Sequence, residues 1–401
     1  MTETEKTEQT EQTEKAEGAK AAETAATELA LALISSAVDP TRETPTVSDE
    51  ALVAAYREAK RHDLGHLVAH VALRDGLVAK ESPLYPKFEQ VRFTAVYRAE
   101  RMAHEIDRVK AALSEAKIPH LPLKGAHLRT LYPEGWMRTS SDFDVLVPKA
   151  EHDRAVRVLC DRGYAEGARG GHDVVLKREG GCPVELHFSL IEDGISGKMS
   201  HPLSRIWDYA DPVSEEALEY RLSDGAFYYY HMAHMAKHVL HGGCGIRPFL
   251  DLLMMRGRIE SDAAILEEGG LAAFAPAAEA LTDAWFSDGE RTPTSERLAR
   301  FVLTGGVYGT IENRVVASKG KKGGRLGYIL SRLFLPYRHL KELFPILEKH
   351  KWLTPFYQCV RWVRMVKDGR MNRTRRELAA TKEADPRAVK DAELLLTELS
   401  L

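Results

Sequence analysis

The sequence has few cysteines, and none of them are paired at the spacing of a structural zinc site. Its four cysteines, Cys160, Cys182, Cys244 and Cys359, are scattered along 401 residues without a Cys-x-x-Cys motif. This pattern argues against a disulfide framework and against a zinc site of the usual spacing. Because such cysteine usage is typical of a reducing cytosol, we expect a cytoplasmic protein.

The chain also lacks a strong excess of either charge and a long apolar run. Its formal net charge of -3 gives no overall preference for nucleic acid or for a membrane surface. The N-terminus has no basic region followed by an apolar core, which argues against a signal peptide. No apolar run approaches the roughly 20 residues of a membrane helix, so we expect a protein with no membrane partner.

The composition changes along the chain and predicts an α+β fold, in which a small mixed sheet is embedded in a largely helical chain. The near-repeat TETEKTEQTEQTEK cannot form a core, and apolar residues recur at helical spacing over residues 86–116. The pattern then becomes strand-like near residue 118 and mostly helical again after residue 201. The predicted regions are 1–22 (disordered tail), 23–117 (N-terminal helical region), 118–200 (α/β core), 201–376 (helical C-terminal domain) and 377–401 (C-terminal helix or tail).

Two aspartates separated by one residue are the most informative feature of the chain. Asp142 and Asp144 lie at the start of a predicted strand, DFDVLV, and residues two apart on a strand share one face. Carboxylates placed together repel each other but suit divalent cations. Glu185, which shares a strand face with His187, is the best candidate for a third carboxylate. The alternative is that the two aspartates are surface acids in a turn.

A segment just upstream carries groups that suit phosphate. Gly125 permits a tight turn into a helix, whose N-terminal N–H groups can bind an anion. Lys124 offers a point charge, Arg138 a planar fork, and Ser140 and Ser141 hydroxyl donors. Alternatively, Arg138 is a surface arginine that pairs with Glu134.

A helix further along carries four histidines on one face, at steps of 3, 4 and 3: His231, His234, His238 and His241. Zinc binding is one interpretation. We favour buried hydrogen-bonding histidines, with others lining a cleft opposite the carboxylates. The predicted cleft-lining residues are His187, His234, His238 and Arg247. Arg247 and Asp251 are either an internal ion pair or a pair that contacts a base, and we favour the ion pair.

Residues 319–376 are markedly basic and contain many aromatic side chains. They can bind RNA. The commoner case, which we favour, is a set of packed amphipathic helices with solvated basic faces, because a basic patch alone specifies no partner.

These motifs resemble the nucleotidyltransferase superfamily of DNA polymerase beta and, more closely, the bacterial family called uncharacterised nucleotidyltransferases. The resemblance spans roughly residues 25–367, and Ala126 departs from the Ser or Gly common in the wider superfamily. The matching motifs are LKGA at 123–126, Tyr132-Pro133, Arg138, DFDVLV at 142–147, Gly163-Tyr164 and ELH at 185–187.

The resemblance implies a nucleotidyltransferase core that moves a nucleoside monophosphate from a nucleoside triphosphate such as ATP to an acceptor hydroxyl. Asp142, Asp144 and Glu185 would hold two Mg²⁺ ions and act in catalysis. The implied nucleotide-binding residues are Lys124, Gly125, Ala126, Arg138 and Ser141. The acceptor is open: a small molecule, a peptide, or transfer RNA in a toxin-like enzyme. A nucleotide-binding pseudoenzyme without turnover is a further alternative.

Overall fold

Four helices form the N-terminal region of the computed structural model, which describes residues 3–192, 195–306, 346–367 and 386–401 and a few isolated residues between 309 and 344. The helix predicted from the apolar spacing over residues 86–116 is confirmed. Ser48 caps the second helix by accepting a hydrogen bond from the N–H of Ala51. The four are α1 (Glu3–Val38), α2 (Asp49–Arg61), α3 (Gly65–Arg74) and α4 (Leu84–Glu115).

Helix α1 extends back through the segment that was expected to be a disordered tail, to Glu3. The segment is rich in Glu, Lys, Gln and Ala, which have high helix propensity even where there is no core to bury. Residues 18–25 are exposed, and burial begins at Thr27 and Ala30. The core of the protein therefore begins well after the start of this helix.

Part of α1 is long and apolar enough to cross a membrane, contrary to the expectation that the chain has no such run. This part is Gly18–Val38, and half of its apolar window is buried against the rest of the chain. A core helix and an N-terminal signal sequence both satisfy the same criterion of length and composition. Leu33 and Ile34 are fully buried in the main hydrophobic core, as expected for a core helix.

A five-stranded mixed sheet carries the acidic motif. Its spatial order is β1-β2-β5-β4-β3, with β2 and β5 parallel and the other neighbours antiparallel. The α+β prediction is confirmed. The strands are β1 (Leu121–Pro122), β2 (Phe143–Leu146), β3 (Ala165–Arg169), β4 (Asp173–Lys177) and β5 (Val184–His187).

One face of this sheet is covered by helices, and the other carries the polar residues. Phe143 and Val145 of β2 pack in one apolar cluster with residues of α4 and of α6 (His152–Asp161). Because side chains alternate along a strand, Asp144 between them faces the opposite side. In the register of the parallel pair, Asp144 lies directly beside Glu185. The sheet therefore fixes both carboxylates on one face.

Several strands were not predicted. Strand β3, with sequence AEGAR, is exposed along its whole length and has no apolar alternation that would reveal it. A small hairpin of β6 (Ala210–Pro212) and β7 (Tyr220–Leu222) interrupts the region expected to be helical after residue 201. The hairpin strands have only three residues each, which is too short for a sequence period to be recognised.

The rest of the described chain is mainly helical. Helix α8 is buried on nearly every side, with Tyr229 and Met232 fully inaccessible, so it forms the centre of the C-terminal half. Most of the basic region 319–376 lies outside the described residues. The helices are α7 (Ser200–Ser204), α8 (Asp224–Leu240), α9 (Arg247–Met255), α10 (Ala263–Glu268), α11 (Phe274–Phe286), α12 (Pro293–Gly305), α13 (Ile346–Lys349), α14 (Thr354–Lys367) and α15 (Pro386–Glu398).

Candidate active site

A cleft of about 730 Å³ lies over the polar face of the sheet. The strands β2 and β5 provide its acidic floor, helices α8 and α9 one wall, and helices α2 to α4 another. All of the predicted site residues line this cleft except Ala126. Residues of the cleft that the sequence analysis did not select include Tyr56, Lys60, Asp63, Gln90, Arg98, Glu192 and Lys237.

The acidic floor contains a close group of three side chains: Asp144, Glu185 and His187. Each side chain offers one atom that can bind a metal ion, and these three atoms all lie within 4.8 Å of one another. Nε2 of His187 lies 3.0 Å from Oδ1 of Asp144 and 3.7 Å from Oε2 of Glu185. Nδ1 of His187 is buried and has no hydrogen-bond partner among the described residues, so one proton on Nε2, donated to Asp144, satisfies the ring best.

This group contains two of the three predicted metal ligands, Asp144 and Glu185, together with His187. Asp142 also lines the cleft, but it precedes the first residue of β2, so the sheet register does not fix its side chain. The hydroxyl of Ser141 donates to Oδ2 of Asp142 at 3.1 Å. Ser141, expected to bind phosphate, therefore contacts a carboxylate.

The three carboxylates affect one another's ionisation. Burial and the charges of Asp144 and Asp142 raise the pKa of Glu185 to about 7. Burial and the charge of Asp144 also raise the pKa of Asp142. Burial opposes ionisation of Asp144 as well, but the hydrogen bond from His187 and the charge of Lys124 outweigh it and lower the pKa of this carboxyl. A divalent cation would relieve this repulsion, and the donor set of carboxylate oxygens and an imidazole fits one.

Gly125 lies against the loop that precedes β2. A Cβ at this position would lie 2.7 Å from Oγ of Ser140, so a side chain would displace that hydroxyl. The helix that begins here, α5 (Lys124–Leu128), has only five residues. The helix dipole at the N-terminus of α5 is accordingly weaker than the one expected from the sequence.

Ala126 points away from the cleft and packs against the apolar side of the sheet. Its N–H already donates to the carbonyl of Leu123 at 3.0 Å. The departure of Ala126 from the Ser or Gly of the wider superfamily therefore changes a side chain on the core side of the turn and not one that lines the cleft.

Arg138 is buried and paired, which contradicts the alternative that it is a surface arginine. Its Nε and Nη2 donate to the two carboxylate oxygens of Asp251 at 2.8 and 3.0 Å, and the hydroxyl of Tyr132 donates to the same carboxylate. Only Nη1 faces the loop, where it donates to the carbonyl of Thr139 and the hydroxyl of Ser140. The guanidinium thus holds the loop in place, and the surface pairing with Glu134 was wrong. A contact of Arg138 with phosphate stays a prediction.

The predicted ion pair between Arg247 and Asp251 was also wrong. Nη1 of Arg247 instead donates to Asp63 at 2.7 Å, which joins α9 to the turn between α2 and α3. The sequence offers no spacing signal for this contact, because the two residues are 184 positions apart.

Two lysines and a glutamate form a charged network beside the acidic floor. Lys237 donates to Glu192, and the ammonium group of Lys124 lies 5.0 Å from the ring centroid of Tyr230. Burial opposes ionisation of Glu192, but the charges of Lys124 and Lys237 hold its pKa down at about 2. Burial lowers the pKa of Lys124 despite the neighbouring charges of Glu192 and Asp144.

The lowered pKa of Glu192 predicts a pH-dependent contribution to stability. The carboxylate stabilises the fold above its ordinary pKa of 4.5, and this contribution is lost as the pH falls from 4.5 towards 2. We expect Glu192→Gln to destabilise the protein at pH 7, and the difference from wild type to narrow by about 1–2 kcal/mol at pH 3. Urea unfolding of wild type and variant at pH 7 and pH 3 measures this difference in the free energy of unfolding. An unchanged difference would contradict the ion pair.

The histidines of α8 have separate roles in the structure. All three of His231, His234 and His238 line the cleft. Nε2 of His231 bonds the carbonyl of Pro248, and the Nε2 atoms of His234 and His238 lie 3.1 Å apart. Burial and the neighbouring lysines lower the pKa of His238 to about 3. Both rings are therefore neutral near pH 7. Among the described residues, they are not part of a group of three potential metal ligands.

The fold and cleft define a class of site: carboxylates on adjacent strands suited to a divalent cation, with lysines beside them suited to phosphate. The family described as "Uncharacterised nucleotidyltransferase" matches residues 49–286, which is more than half of the chain. The chain therefore belongs to this nucleotidyltransferase family. The match includes every residue of the cleft and is shorter than the resemblance noted over residues 25–367. No curated protein matches the sequence.

Proposed function

We propose that this protein transfers a nucleoside monophosphate from a nucleoside triphosphate to an acceptor hydroxyl and releases pyrophosphate. The observation that carries the proposal is the group of Asp144, Glu185 and His187 within 4.8 Å, on the floor of a cleft of about 730 Å³. A cleft of this size accommodates a nucleotide together with part of an acceptor.

The acidic group would hold magnesium, the cation that suits carboxylate and phosphate oxygens. Asp144 and Glu185 are the proposed ligands, with Asp142 as the third carboxylate. Bound there, two Mg²⁺ ions would polarise the reacting phosphate and the attacking oxygen and neutralise the leaving pyrophosphate. His187 would orient Asp144 through its hydrogen bond, as partners of ligating carboxylates do.

Other residues of the cleft would bind the triphosphate and move the proton. Lys124 lies beside Asp144, where its ammonium group can contact phosphate oxygens, and the N–H of Gly125 lies on the same turn. The acceptor oxygen would attack the α-phosphorus while the bond to the β-phosphate oxygen breaks. Glu185, which lies beside Asp144 on the acidic floor, would help to deprotonate that hydroxyl.

Calorimetric titration of the full-length protein with each of four nucleoside triphosphates, with and without MgCl₂, tests the proposal. We expect at least one triphosphate to bind in a magnesium-dependent way, because the acidic floor repels the triphosphate until a cation neutralises it. Lys124→Ala should weaken this binding, whereas Asp107→Asn on the exposed side of α4 should leave it unchanged. If no triphosphate binds in magnesium, the proposed donor is wrong.

A further inference from the structure

A row of apolar side chains is exposed on helix α14 and on the short turn that precedes it. Trp352 is 77% exposed, Phe356 is 61% exposed and Val363 is 56% exposed. Cys359, between the last two, is exposed as well. The spacing of 4, 3 and 4 residues places all four on one helical face, which we call the α14 stripe. Of the nine large apolar side chains exposed in the described part of the chain, five lie within residues 334–363, so this exposure is concentrated here.

Another face of α14 is already packed, and it anchors the helix. That face contacts a small apolar cluster that is separate from the main core. The cluster consists of Leu340, Phe344 and Leu347, and the side chains packed on it from α14 and its preceding turn are Leu353, Tyr357 and Val360. The α14 stripe is therefore not the inner side of the helix, and it is available to a partner.

One cation lies at each end of the α14 stripe. Lys351 precedes the first residue of the stripe, and its Nζ lies 5.8 Å from the ring centroid of Tyr337. Arg364 follows the last residue, and its guanidinium lies 4.9 Å from the ring centroid of Phe344. Both rings belong to the small cluster or pack against it. These contacts hold the two cations beside the helix that carries the stripe.

The positive charge around the stripe is not neutralised by acids of the described chain. Glu348 is the only acid within residues 346–367, and it lies 3.6 Å from Lys341. In the described part of the chain, neither Lys349, Lys351 nor Arg364 forms an ion pair. Because the formal net charge of the whole chain is -3, this positive charge is local. The stripe therefore suits a partner that is both apolar and negatively charged.

The surface of an anionic lipid bilayer meets both requirements. Apolar side chains along one face of a helix enter the boundary of the acyl chains, while lysines and arginines beside them contact the lipid phosphates. Tryptophan is enriched at the level of the headgroups. A nucleic acid would engage the cations, but Cys359 and Val363 offer no flat face on which a base stacks. An acidic protein surface without apolar groups would leave the stripe in water.

We propose that the α14 stripe lies in the surface of a membrane that contains anionic lipids and holds the protein there without crossing it. Trp352 and Phe356 enter the boundary between headgroups and acyl chains, and Lys351 and Arg364 lie among the headgroup phosphates. No membrane partner was expected because no apolar run was found to span a bilayer, but a helix that lies in its surface needs no such run. The contact is independent of the proposed transfer, since no residue of the stripe lines the cleft.

Co-sedimentation of the full-length protein with lipid vesicles tests this inference. We expect binding to vesicles of equal parts phosphatidylcholine and phosphatidylglycerol, and at least about tenfold weaker binding to phosphatidylcholine alone, because the cations then lack partners. The double variant Trp352→Ser/Phe356→Ser should bind the mixed vesicles at least about tenfold more weakly, since two large aromatic side chains no longer leave water. Both side chains are exposed, so the variant should fold, which thermal unfolding verifies.

Two further variants separate charge from apolar contact. Lys349→Gln/Lys351→Gln should weaken binding to the mixed vesicles by about fivefold for each cation near the surface. The matched control is Phe93→Ser/Tyr97→Ser on α4, where both rings are also largely exposed but glutamates lie about one turn away. This control should bind the mixed vesicles as wild type does, because its surface has no excess of cations.

Four outcomes would overturn the inference: no binding of wild type to the mixed vesicles, equal binding to both kinds of vesicle, a loss with the α4 control and not with the stripe variant, or equal losses with both. Without vesicle binding, a dimer in sedimentation velocity that the stripe variant abolishes would assign the stripe to a second copy of the chain. Single-stranded RNA binding that this variant abolishes would then assign it to nucleic acid. All variants should retain magnesium-dependent triphosphate binding, so a failure of the proposed transfer is measured separately.

Discussion

Replacing Asp144 with Asn should reduce nucleotidyl transfer by roughly 10³-fold or more, since a lost metal ligand removes several kcal/mol of transition-state stabilisation. Asp144 is central to the acidic floor, because it accepts the hydrogen bond of His187 and lies beside Glu185 across the parallel strands. Asn has the same shape and can still accept from His187. The measurement is pyrophosphate release in magnesium, with an acceptor identified by screening.

The fold of this variant should be preserved, so that the lost transfer activity reflects the missing metal ligand and not unfolding. We expect the melting temperature without magnesium to equal or lie slightly below that of wild type, because Asn relieves the repulsion of Glu185 and Asp142 but loses the favourable interaction of the Asp144 charge with His187 and Lys124. Asp161→Asn, at the exposed end of α6, is the matched control and should keep full activity. Full activity of Asp144→Asn would reject the assigned site.

The second large effect concerns stability. Asp251→Ala should lower the free energy of unfolding by about 3–5 kcal/mol, because it leaves a buried cation without its partner. Asp251 is 1% exposed and the side chain of Arg138 is 9% exposed. The hydroxyl of Tyr132 loses its acceptor as well. Chemical denaturation measures the change.

An exposed ion pair provides the control for this effect. Glu115→Ala breaks the contact with Arg162, in which both side chains are largely solvated. We expect a change of about 1 kcal/mol or less, as is usual for surface pairs. Equal effects of the two replacements would show that the pair of Arg138 and Asp251 contributes no more than a surface contact.

The sequence predicts the elements of the site better than the contacts between them. The strand DFDVLV has an alternation that places Asp144 opposite the apolar residues, and this local rule also places Glu185 and His187 on one face of β5. The pairing of β2 with β5 then brings the two strands together, which the order of the motifs made plausible but no local pattern fixes.

The errors arise where a side chain finds its partner far along the chain. Arg138 pairs with Asp251, 113 residues away, and Arg247 with Asp63. A sequence pattern indicates periodicity and turns, whereas such pairs depend on how whole helices pack. The cleft wall from α2 to α4 was missed for the same reason: Gln90 and Arg98 look like ordinary polar residues of an amphipathic helix.

These distant pairs also bear on the order of assembly during synthesis. The loop before β2 is held by Arg138, whose acceptor Asp251 emerges from the ribosome more than a hundred residues later. Contacts of such sequence separation form late in folding, because the closure of a long loop must precede them. A nascent chain that has completed the sheet still lacks the anchor of this loop. The protein should therefore become active only when the C-terminal half, which carries Asp251, has packed against the sheet.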